Sequence, residues 1–259
     1  MRSRVRRIRR RVRGKSKRSR SLYILLFTAA MSAGALSWVF LNTSLCEVQR
    51  IHIHGVNFGY PEDLLLESGI EAGINIFSNL SRYEHLLSAH PLVVEAHIDR
   101  HPPRTLSVRV EEREPFAFIK LTKPVPVSRN GILLPEDRIA VELDLPLLTI
   151  EGGGGVSQGA VMKGLGFLSR LEAASPALFN LVSELLVKDS VPSILYLRSP
   201  KARVLLGDRF TLLSSRLLTG VLTELGRDDG FYEIDLRFNN QAVVRQLGED
   251  GKHSLYDSI

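Results

Sequence analysis

The apolar and polar positions of this chain follow three successive patterns. Residues 21–41 contain no charge, and twenty-one residues make a helix of about 32 Å, enough for a hydrocarbon core of about 30 Å. From Glu47 the period falls to two: Ile51 and Ile53 share one face of a strand, His52 and His54 the other, and Gly55-Val56-Asn57 ends it. Helical spacing follows. Pro61-Glu62-Asp63 reads as a helix start, with Leu64, Leu65 and Ile70 as apolar positions and Gly69 as the stop. Residues 73–77 form a short apolar linker. Ser81 is expected to cap a second helix with Glu84 as its capping-box partner, and Pro91 forces the chain out of the helical region at His90. Alternation returns over residues 92–100 and 104–112, so the order is strand, helix, helix, strand, strand.

The second half mixes the two periods. Residues 116–120 and 125–128 read as short strands, and Asn130-Gly131 signals a hairpin turn before Ile132-Leu133-Leu134. A helix is expected over 157–174, weakened by Gly159, Gly164 and Gly166, then strands over 182–188, 194–197 and 203–206. Leu212, Leu213, Leu217, Leu218, Val221, Leu222 and Leu225 recur at helical spacing over 211–225. Strands over 231–238 and 242–245 finish the pattern.

Charge gives these elements a topology. Twelve of the 34 basic residues lie in the first twenty positions, and the other 22 face 28 acids, a balance of −6 for the remainder. The positive-inside rule keeps residues 1–20 in the cytoplasm, with Arg13, Lys15, Lys17, Arg18 and Arg20 orienting a transmembrane segment at 21–41. Ala33-Gly34-Ala35 offers a signal-peptidase-like site, but the apolar run continues past it, so an uncleaved anchor is expected. The basic tail fits anionic lipid, and no nucleic-acid-reading module accompanies it. Cys46 is the only cysteine, which excludes an internal disulfide framework.

Particular residues then carry a resemblance. Val48-x-x-Ile51-x-Ile53-x-Gly55 follows the anchor, and Gly73-x-Asn75-Ile76-Phe77 comes next. Pro91-x-Val93-x-x-Ala96-x-Ile98-x-Arg100-x-x-Pro103-x-Thr105-Leu106 leads to Val110-x-Glu112-Arg113-x-Pro115-x-Ala117. In this order they resemble the POTRA domain of the FtsQ/DivIB cell-division family. Leu206-Gly207 before the leucine-rich helix and Ile234-Asp235-Leu236-Arg237 after it are similar to that family's β domain. The resemblance implies an α+β protein: a single N-terminal transmembrane helix, a βααββ POTRA domain over 46–113, and a mixed β-sheet domain with flanking helices over 114–247. Residues 248–259 form a short tail. Few contacts are expected across the charged junction Glu112-Arg113-Glu114-Pro115.

No catalytic constellation emerges from the sequence. The glycines at 152–155 lack the Gly-Lys-Ser/Thr ending of a phosphate loop, there is no Gly-x-Ser-x-Gly elbow, and no cofactor or metal is expected. The resemblance implies a non-catalytic scaffold at the division septum of the bacterial inner membrane, with its C-terminus in the periplasm. Its partners would be FtsB- and FtsL-like proteins, other division proteins reaching the POTRA domain. Strand addition along the last strands is the expected mode, through Tyr232, Ile234, Leu236, Arg237, Phe238, Asn239, Ala242, Val243 and Val244. An envelope assembly or secretion factor is the alternative, since POTRA domains also serve there.

Overall fold

The computed structural model describes residues 17–41, 46–152, 156–188, 193–207, 210–226, 230–238 and 241–247. Helix α1 runs Lys17–Leu41 across the uncharged stretch, and the side chains described on it, at 22–35, 37 and 38, are all exposed. Among the described residues no helix is long and apolar enough to cross a membrane, so the span expected over 21–41 rests on the sequence. Beyond it come β1 (Arg50–His54), α2 (Pro61–Ser68), α3 (Ser81–Ala89), β2 (Val93–His101) and β3 (Thr105–Glu112), the strands lying in the order β1-β3-β2. The expected βααββ order is present.

Contacts divide the chain into two units. The first holds residues 1–52, 71–79 and 100–107. Within it, Val48 N–H donates to Ile74 O at 2.8 Å and Ile76 N–H to Cys46 O at 2.8 Å, which pins the linker beside the strand start. Arg100 reaches Ile76 O and Ser78 O, both at 2.8 Å. The motif arginine is therefore a backbone clip.

The second unit holds residues 53–70, 80–99 and 108–259. Gly55, at φ 87°, passes so near β3 that a Cβ would lie 2.0 Å from Val110 O. Glu112 accepts the backbone N–H groups of Asn57, Phe58 (2.7 Å) and Gly59 (2.8 Å), and Arg113 donates to Pro91 O (2.9 Å) and Val93 O (3.0 Å). Two expectations fail in this unit. Ser81 is the first residue of α3, whose cap position is Leu80, and Glu84 instead accepts the N–H of Ile98 on β2 at 2.8 Å. The junction is also well tied, because Gly59 bridges Ile139, Ala140 N–H donates to Phe58 O at 2.6 Å, and Arg138 pairs with Asp63 (3.0 Å) and Glu67 (2.8 Å).

The same unit contains a large sheet. Its strands are β4 (Pro115–Lys120), β5 (Pro124–Ser128), β6 (Leu147–Glu151), β7 (Val182–Lys188), β8 (Ile194–Leu197), β9 (Ala202–Leu205), β10 (Phe231–Asp235) and β11 (Val243–Leu247). They lie in the order β11-β10-β9-β8-β7-β6-β4-β5. Helices α4 (Gln158–Ala174) and α6 (Leu212–Leu225), with the short α5 (Pro176–Phe179), supply Leu165, Leu168, Leu171, Leu178, Leu218 and Leu222 to the core over Leu148, Leu185, Val204 and Ile234. Ser157 caps α4 and Thr211 caps α6 with a full capping box. Gly164 does not merely weaken α4: a Cβ there would stand 2.5 Å from Leu148 Cδ1, so the glycine lets helix and sheet approach. The strand expected over 231–238 stops at Asp235, and its successor starts and ends later than expected.

Candidate protein-binding edge

Strand β10 is interior to the sheet. It runs parallel to β9 and antiparallel to β11, with Ile234 opposite both Val204 and Val244. Tyr232 and Leu236 are buried and Ile234 is 0 % exposed. These three were expected to meet a partner; the structure places them in the core, where apolar alternation of an internal strand puts them. Among the described residues the terminal strand on this side of the sheet is β11.

β11 has exposed positions on both faces. Val243 and Val244 are exposed, and only Leu247 is half-buried. Ala242 packs against the core, and Phe238 stands 54 % exposed. Arg237 is not a free charge. Its Nε and Nη2 bond Asp235 at 2.9 and 2.5 Å, and its backbone N–H donates to the same carboxylate at 3.0 Å. The guanidinium hydrogen bonds hold the Asp235 carboxyl below its usual range against a smaller opposing effect of burial. This residue pair fixes the corner where the chain leaves β10. Asn239 lies outside the described residues, as do Arg13 and Lys15; Lys17, Arg18 and Arg20 lie on α1, with their side chains outside the description.

The sequence reading missed two residues beside this edge. Glu233 accepts two bonds from Arg203 (2.8 and 2.6 Å), and Arg245 on β11 lies 3.9 Å from the same carboxylate. They are paired by strand register, which no linear spacing reveals. On this uncovered face, a groove of about 500 Å³ is lined by Thr149, Glu184, Lys188, Tyr196, Arg203 and Phe231. Among the described residues no cluster of His, Cys, Asp or Glu can hold a metal ion.

Residues 47–113 match the POTRA domain family of FtsQ type. The cell division protein FtsQ of Anaeromyxobacter sp. (strain K) is 29% identical over 167 residues, 61% of this chain and 52% of that protein. These matches support the FtsQ/DivIB family for this chain. The cell division protein FtsQ of Geotalea daltonii is 21% identical over 217 residues, covering 81% of this chain and 79% of that protein. DivIB of Macrococcus caseolyticus is 25% identical over 157 residues, 58% of this chain and 49% of that protein. The matched part spans about half the length of the first and last of these FtsQ/DivIB relatives.

Proposed function

We propose that this chain is a non-catalytic scaffold of bacterial cell division that accepts a strand of a partner along β11. The observation that carries this reading is the outer side of β11, which has no strand paired to it among the described residues, at the end of an eight-stranded sheet. A strand edge displays unpaired N–H and C=O groups, and a partner segment completes the ladder. Family membership supports a division role, and FtsB- and FtsL-like proteins are the partners this reading names. Phe238, Val243 and Val244 supply side-chain contacts, and Arg237 acts by holding the corner through Asp235. The run at 21–41 anchors the chain in the inner membrane with the basic tail in the cytoplasm, against anionic lipid, and the sheet outside at the septum. Residues 46–113 are the POTRA segment of this scaffold and 114–247 its sheet segment, and further division proteins dock on the first.

The test is binding of a purified FtsB-like segment to the full chain in mild detergent. Phe238→Ala is expected to weaken binding about tenfold or more if the ring anchors the partner, with the melt unchanged. Unchanged binding by Phe238→Ala and by a β11 proline variant, both folded, would place the interface elsewhere.

A further inference from the structure

Directly opposite residues of neighbouring strands share a face of the sheet. The registers of β7 to β11 therefore build one row, Glu184, Tyr196, Arg203, Glu233 and Arg245. Charge alternates along it toward the edge. Burial, and then the Glu184 carboxylate, push the Tyr196 hydroxyl pKa up. Arg203 and Glu233 are 27% and 16% exposed and bonded twice. Arg245 is different: it is 72% exposed and lies 3.9 Å from a carboxylate that another arginine already holds. Among the described residues the row thus ends at the edge in a cation whose nearest carboxylate is already held by another arginine. The adjacent row, Leu195, Val204, Ile234 and Val244, is apolar throughout, faces the helices and ends in the exposed Val244.

We propose that Arg245 sets the chemistry and register of the strand that docks on β11. The occupant is an extended segment of a partner protein carrying Glu or Asp opposite Arg245 and a bulky apolar residue beside it, opposite Val244. This rests on the reading that β11 receives a strand. The acid continues the alternation of the upper row, and the apolar neighbour continues the lower one. A slip of one residue would turn the carboxylate toward the helix face and the apolar group into water, and a slip of two would carry the acid away from Arg245. A lysine in the acid's place would stand about 5 Å from Arg245, as a destabilising like-charge pair. β11 itself reads Val-Val-Arg-Gln-Leu, so a second copy pairing strand to strand supplies no acid.

The full chain, in mild detergent, is extended after Ile259 by a flexible Gly/Ser linker and the strand Thr-Val-Glu-Val-Thr, or the same strand with Gln or Lys at its centre. Tethering holds the probe at roughly millimolar effective concentration. The readout is amide hydrogen exchange over residues 243–247. The Glu strand is expected to protect these amides about two- to fivefold more than the Gln strand, and the Lys strand less than either. In Arg245→Glu the order of the Glu and Lys strands should reverse, and in Arg245→Gln the three should converge. Equal protection by all three strands on the parent chain, or an unchanged order in Arg245→Glu, overturns the role of Arg245 and leaves strand addition standing. Absence of protection from every strand overturns both.

Discussion

The two edges of the eight-stranded sheet are built in opposite ways. β5 carries Pro124 and Pro126, which have no N–H to donate, and the segment after it folds back along its outer side. Val127 bridges Leu133, Ser128 N–H donates to Ile132 O at 3.0 Å, and Leu134 N–H donates to Pro126 O at 2.8 Å. β11 has neither proline nor cover among the described residues, and four of its five positions are exposed. Sheets blunt their edges because an open one templates further pairing. Among the described residues this sheet blunts only one, and that difference is what the proposed partner strand at β11 rests on.

The strongest way to break the comparison is to compare two positions in one row. Ile234→Ala, in the interior strand, is expected to cost about 2–4 kcal/mol in chemical denaturation, whereas Val244→Ala beside it should cost less than about 0.5 kcal/mol. Similar costs would mean that β11 is covered like an interior strand. Proline sharpens the picture next. Successive N–H groups of an edge strand point alternately inward and outward, so Val243→Pro and Val244→Pro should behave differently. One should loosen the pairing with β10; the other should keep the parent melt and lose at least about tenfold in binding of an FtsB-like segment. Val125→Ala on the covered edge should leave that binding unchanged. Two equally harmless prolines on β11 would remove the edge from consideration.

The smallest effect concerns the corner that leads to the open edge. Because the folded Asp235 carboxyl titrates below its ordinary value, its contribution is complete above about pH 4 and is lost as pH falls through the folded value. Asp235→Asn should therefore lower the melt most near neutrality, with the gap from the parent closing in strong acid. A gap independent of pH would show that the carboxylate charge is not what holds Arg237.

Periodicity and turn chemistry revealed most of the elements, because Gly69, Ser157, Thr211 and the leucines of α6 signal over short distances. What escaped was non-local. Glu84 looked like a capping residue because its spacing from Ser81 is right, yet its donor is Ile98, fourteen positions away and on another element. Tyr232 and Ile234 looked available because they precede the chain's last strand, and only the order β11-β10-β9 shows that both sides of β10 are taken. Arg245 and Glu233 meet through register alone. The Asp235–Arg237 pair was within reach of the sequence, since a strand was expected through residue 238 and residues two apart on a strand share a face.

One blocked edge and one open edge also limit how far this sheet can grow. A sheet with two open edges has a valence of two and can polymerise, each added copy presenting a fresh edge to the next. A sheet with the β5 side closed has a valence of one. Whatever strand joins β11, growth in that direction depends on the newcomer, and two copies meeting edge to edge would consume both open sides and stop. The prolines at 124 and 126, at the far end of the sheet from β11, thereby make an exposed strand compatible with a sheet that extends at one end only.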